Sequence, residues 1–128
     1  MKEILILSAK RTPIGSFNGA LSSYTAPQLG AKAIKAAVES AGVKPEEVSE
    51  VIMGNVVSAG IPVGAGATTV NKVCGSGMKA VMMGCQSILT GDSDIVVAGG
   101  MEAMSKTPCL LEKARSGYRL SHGKLIDA

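Results

Sequence analysis

Two stretches of this sequence carry apolar residues at helical spacing, and each is stopped by a glycine and flanked by short apolar runs. In the first, Leu29, Ala33, Ile34, Ala37, Val38 and Ala41 recur every three or four residues, and Gly42 follows. In the second, over 75–90, Met78, Val81, Met82, Cys85, Ile88 and Leu89 do the same, with Gly91 as the stop. A glycine just past the last periodic residue takes the left-handed conformation that ends a helix. Thr25-Ala26-Pro27-Gln28 has capping-box spacing with proline in the first turn, which marks where the first helix begins. The runs 3–9, 50–57, 67–73 and 94–98 read as strands. Strand, helix, strand, twice over, predicts α/β layers around a mainly parallel sheet. The second helix also carries Ala80, Met83 and Gly84 on its other faces and is expected to be buried nearly all round. The run 94–98 is apolar after its first residue, as a strand covered on both faces is.

One connection does not fit this pattern. Parallel neighbours need a crossover of about a dozen residues or more, usually holding a helix. The stretch 58–66 contains Pro62 and three glycines and shows no helical spacing. Either the strands at 50–57 and 67–73 are not parallel neighbours, or a crossover helix is missing. The sheet is accordingly expected to be strained or re-paired near 67–73, or the chain to be incomplete. From Met101 onward the chain reads as irregular, with one short helix near 110–114.

The core that such layers enclose must be built from small and aliphatic side chains. Apolar residues make up 46% of the 128 residues but aromatics only 2%, and 16 glycines imply tight turns and close backbone approaches. A net charge of +3 is too small to argue for nucleic acid or a membrane surface. Lys106, Lys113, Arg115, Arg119 and Lys124 outnumber Glu112 and Asp127 near the end, and read as a solvated surface or an anion site. Three cysteines without a CxxC spacing argue against zinc or a disulfide framework and for a reducing compartment. The N-terminal apolar run is too short for a signal peptide, and no run is long enough to span a membrane. These features together predict a soluble, cytoplasmic protein.

Cys74, in VNKVCGSGMKA at 70–80, falls where a strand should turn into a helix. Backbone N–H groups at a helix start are unpaired and partly positive, so a thiolate there is favoured over the thiol of a free cysteine. Gly75, Ser76 and Gly77 add almost no bulk, so a substrate carbonyl can come close and N–H groups can face a developing oxyanion. Strand-to-helix turns hold the serine of hydrolases in the same way. Cys74 can also be a small core residue in a glycine-rich turn, and spacing alone leaves both roles open. Cys85 lies on the helical stripe and reads as core; Cys109 reads as a structural or surface thiol. His122 is the only histidine, in a polar stretch where nothing orients it. Asp92 and Asp94 flank a turn and read as solvated. No dinucleotide or phosphate-loop fingerprint is completed.

Four ordered motifs, RTPIG at 11–15, MGNV at 53–56, NKVCGSGM at 71–78 and GGMEAMS at 99–105, resemble the thiolase family, most nearly its biosynthetic acetyl-CoA acetyltransferase branch. The resemblance covers the N-terminal third or so of a family member. It implies residues 1–100 as a partial N-terminal α/β domain and 101–128 as the start of an irregular loop region. It implies that Cys74 attacks an acyl-CoA thioester and that free CoA leaves. A second acetyl-CoA, deprotonated at its α-carbon, then takes the acetyl group to give acetoacetyl-CoA, or the reverse thiolysis runs. CoA is substrate and carrier, and no metal or redox cofactor is implied. Family members form homotetramers built from tight dimers. The family's GHP histidine, second cysteine and NEAF-like asparagine have no matching string here, so His122, Cys85 and Cys109 inherit no role. The main CoA-binding residues of the family lie beyond Ala128. Family members also carry a helical segment between the GNV strand and the cysteine strand that looks deleted here near Gly60. Two alternatives are a ketoacyl-synthase-like condensing enzyme, which GGMEAMS argues against, and a catalytically incompetent chain that only packs against partners.

Overall fold

The computed structural model describes residues 3–56, 68–120 and 122–127. The first helix, α1, spans Ala26–Ala41 and starts and stops where local chemistry requires. Thr25 Oγ1 accepts from the Gln28 N–H and Gln28 Oε1 accepts from the Thr25 N–H, closing the capping box. Gly42 sits at φ 68°, and its N–H donates to the carbonyls of the last turn. Both ends of α1 are thus as the sequence predicts.

Three strands form a parallel sheet. β1 is Glu50–Gly54, β2 Thr68–Val70 and β3 Val96–Gly100, in the order β2-β1-β3. Ile52 pairs with Thr68 on one side and with Ala98 on the other. The strands at 50–57 and 67–73 are therefore parallel neighbours, which removes the first of the two alternatives posed by their short connection, and β2 is not re-paired. That connection, with the expected loop at 58–66 and Ala67, lies outside the described residues. All three strands are offset from their expected bounds, because each ladder runs only where a neighbour faces it.

The second helix, α2, spans Ser76–Thr90 and lies across β1 and β3. Its inner face is Ser76, Ala80 and Gly84, one small residue per turn, and this lets the helix backbone approach the sheet closely. A Cβ on Gly84 would stand 3.0 Å from Val96 Cγ1. Beneath this face Ile52 is only 1% exposed, and Met53, Ala80 and Ala26 of α1 are the other buried apolar residues among those described. The expectation of burial all round fails: Met78, Val81, Met82 and Leu89 stay exposed. The small residues, rather than the large stripe, choose the buried face, because no second layer among the described residues covers the other side. β3 is likewise half-buried rather than covered on both faces.

Residues 3–9 depart furthest from expectation. They are extended but join no sheet, and Leu5, Ile6 and Leu7 are exposed, Ile6 by 87%. The physical reason is a missing neighbour. Between this segment and the outer edge of β3 runs a groove of about 520 Å³, lined also by Ile34 and Val38 of α1 and Cys85 and Ile88 of α2. No described strand stands within reach to close a ladder with 3–9, so no ladder forms.

After β3 come a single 3-10 turn at Met104–Lys106 and a small antiparallel pair, β4 at Cys109–Leu110 with β5 at Ile126–Asp127. The short helix expected near 110–114 does not form; Leu110 is in β4 and turns follow. Lys106, Lys113, Arg115, Arg119 and Lys124 are all exposed, as a solvated surface is. Among the described residues no helix is long and apolar enough to cross a membrane.

The sheet should be unequal in stability. β1 is paired on both sides, whereas β2 is three residues long and paired on one side only among the described residues. Hydrogen exchange is expected to find 51–53 slowest, with 69–73 about tenfold faster than 95–97. Equal protection in the last two stretches would contradict this.

Candidate active site

The chain between β2 and α2 is a compact elbow. Val70 C=O accepts from the Asn55 N–H at 3.0 Å, which carries the β1–β2 pairing one step past the strand ends. Lys72 C=O then accepts from the Gly75 N–H at 3.0 Å, and Val73 C=O from the Ser76 N–H at 3.1 Å. Two side chains tie the turn. Asn71 Oδ1 accepts from the Val73 N–H at 3.0 Å, while its Nδ2 donates to the Val56 carbonyl at 3.4 Å. Ser76 Oγ accepts from the Lys72 N–H at 2.8 Å and donates to the Val73 carbonyl at 2.6 Å. Val73 itself sits at φ 48°, where a β-branched residue is strained by on the order of 1–3 kcal/mol.

At the tip of this elbow is Cys74, exposed and with a free thiol, one residue before the Gly75 that precedes α2. The sequence-predicted joint is therefore real, and the core alternative for Cys74 fails. Glycines bring the elbow down onto the sheet. A Cβ on Gly54 would stand 2.5 Å from the Gly77 nitrogen and closer still to the Ser76 carbonyl carbon. A Cβ on Gly100 would stand 3.4 Å from the Gly77 Cα. The ends of β1 and β3 thus meet the start of α2 backbone to backbone. Cys74 is held near the carboxyl ends of the parallel strands, where open α/β sheets bind ligands.

The four sequence motifs converge on this end. The Met101 N–H donates to the Gly54 carbonyl at 2.9 Å, and the Val56 N–H to Glu102 Oε2 at 2.9 Å, so GGMEAMS packs over MGNV. The Asn18 N–H donates to Ser105 Oγ at 2.9 Å, and Arg11 and Gly15 line a shallow depression with Glu102 and Ser105, which brings in RTPIG. The other candidates stay apart. Cys85 is half-buried along the groove beside β3, and Cys109 is exposed in β4. Asp92 accepts from Thr90 Oγ1 at the far end of α2. His122 is exposed and makes no hydrogen bond with Cys74. No cluster of three or more metal-ligating side chains exists among the described residues.

Sequence reasoning misses Asn71, Ser76 and Gly54. All three stand inside the quoted motifs. Ser76 counts there only as a residue of small bulk, whereas its hydroxyl closes the turn on both sides of Val73.

The thiolase N-terminal domain family matches residues 4–128. An acetyl-CoA acetyltransferase of Cupriavidus necator is 50% identical over 141 aligned positions, covering 99% of this chain and 36% of that protein. Since this chain has 128 residues, at least 13 of those 141 positions have no counterpart in it. Among solved structures, a Bacillus anthracis acetyl-CoA acetyltransferase superimposes with a TM-score of 0.88 at 39% identity, over 95% of this chain and 34% of that one. Human mitochondrial 3-ketoacyl-CoA thiolase, solved in complex with CoA, gives 0.85 at 39% identity, over 94% and 35%. The chain thus spans about a third of the length of the relatives it matches.

Proposed function

This chain belongs to the thiolase family, and from that premise we propose that Cys74 takes an acetyl group from acetyl-CoA as the first half of acetyl-CoA C-acetyltransferase chemistry. The observation that supports it is an exposed thiol on a strained turn at a helix start, above the carboxyl ends of a parallel sheet. The Cys74 thiolate attacks the thioester carbonyl carbon, and backbone N–H groups at the helix start stabilise the oxyanion. The bond from that carbon to the CoA sulfur breaks, CoA leaves as a thiolate and takes a proton, and the acetyl group stays on Cys74. Exchange between two thioesters is nearly neutral in energy, so the same sulfur serves as nucleophile and later as leaving group.

In the second half an α-proton leaves another acetyl-CoA, the carbanion attacks the acetyl carbon, and Cys74 is released as acetoacetyl-CoA forms. The reverse is thiolysis. That half needs a base to take the α-proton, and the family's GHP histidine and second cysteine have no matching string in this chain. Acetylation without turnover is the expected behaviour of this chain alone. The CoA thioester is the substrate and carrier, and the steps as written call on no metal or redox cofactor. Because Cys74 must stay a free thiol, the reading places the chain in a reducing compartment, the cytoplasm. A homo-oligomer is part of the same proposal.

Intact-mass measurement after incubation with acetyl-CoA tests it. One acetyl group per chain, mapped to Cys74 and without acetoacetyl-CoA in solution, is the expected result. An unmodified chain overturns it. The exposed Leu5, Ile6 and Leu7 favour a second reading, a chain that acts only by packing against partner chains. Aggregation without an adduct would support that one.

A further inference from the structure

Val73 is a β-branched residue held at φ 48°, and it is 67% exposed, so packing does not hold it there. Hydrogen bonds do. Its N–H goes to Asn71 Oδ1, and its carbonyl receives both the Ser76 N–H and the Ser76 hydroxyl. The same hydroxyl accepts from the Lys72 N–H, so one oxygen clamps the chain on both sides of the strained residue. Ser76 is only 5% exposed and is pressed against Gly54, which leaves the hydroxyl little room to turn elsewhere.

We propose that Ser76 is a positioning residue for Cys74: its hydroxyl pins Val73 in the left-handed conformation and so sets the orientation of the 73–74 peptide. The consequence follows from peptide geometry. In a planar trans peptide the C=O and the next N–H point in opposite directions. With the Val73 carbonyl turned in toward Ser76, the Cys74 N–H is turned away from it. The peptide so fixed holds the Cys74 sulfur at the start of α2. This deepens, and takes its purpose from, the reading of Cys74 as the acetylated residue.

The test is a four-way comparison of the parent chain, Ser76→Ala, Val73→Gly and the double variant. The readout is alkylation of Cys74 by iodoacetamide, measured peptide by peptide against the exposed Cys109 of the same molecule. Glycine adopts positive φ without help, so it should make the clamp unnecessary. Ser76→Ala alone is expected to lower the Cys74-to-Cys109 ratio about tenfold, as the thiol leaves the helix start. Val73→Gly alone and the double variant should each stay within about twofold of the parent, so the two changes couple. An equal loss with and without Val73, or no loss in Ser76→Ala, overturns the proposal. Should Ser76→Ala fail to fold by circular dichroism, the double variant is still expected to fold; if neither folds, the proposal is overturned. Iodoacetamide needs no acyl transfer. A parent chain that takes no acetyl group therefore removes the proposed function and leaves this comparison standing.

Discussion

Cys74→Ala is expected to abolish acetylation of this chain by acetyl-CoA completely, whereas Cys85→Ala and Cys109→Ala leave it intact. Each cysteine stands in a different setting. Cys109 is exposed, like Cys74, but lies in a two-residue strand. Cys85 lies on the third turn of α2, where the backbone N–H groups are already spent on the helix. Only Cys74 combines access with a place at a helix start. Alanine removes the sulfur and nothing else, because the Cys74 side chain points to solvent and packs no core. Mass spectrometry of the three variants decides the matter. Acetyl groups that move to Cys109 when Cys74 is lost would mean that exposure alone governs the reaction.

Gly54→Ala is expected to damage the whole site without touching the cysteine. The added methyl would fall on the Ser76 carbonyl carbon and the Gly77 nitrogen, both backbone atoms with no freedom to swing aside. Either β1 or the start of α2 must move, and both are part of the core. A destabilisation of about 3 kcal/mol or more is expected, in the range of severe overpacking. For a chain of this size that lowers the melting temperature by roughly 10 °C. Gly42→Ala is the matched control. Gly42, unlike Gly54, has positive φ, 68°, but nothing lies within 4 Å of its added Cβ, so only the conformational cost of about 1 kcal/mol remains. Thermal unfolding of the two variants should differ clearly, and equal losses would show that the contact at Gly54 is not the cause.

The contrast between these two glycines also separates what is legible in the sequence from what is not. Gly42, Gly91 and the capping box at Thr25 act through neighbours in the chain, and the helices begin and end close to where those signals lie. The parallel sheet follows from the alternation of runs, and Cys74 from its place at a joint. Gly54 acts through contact with a separate element, so no local pattern distinguishes it from a spacer, and Ser76, whose hydroxyl bonds lie three and four residues back, reads in the sequence only as small bulk. The buried face of α2 escapes the pattern for the same reason. Hydrophobicity points to Met78, Val81 and Met82, while the sheet selects Ser76, Ala80 and Gly84, which let two backbones come close. The run at 3–9 has the composition of a strand, but a strand exists only by its neighbours, and here the neighbouring position is open.

That open position has a practical consequence for anyone handling the protein. Among the described residues β3 is paired along one side only, and its other side faces a ribbon that joins no ladder. Such a socket does not discriminate well, since any extended apolar peptide can dock its main chain there. Yield and solubility should fall as concentration rises, and a chaperone that binds extended segments should find its grip at 3–9 first.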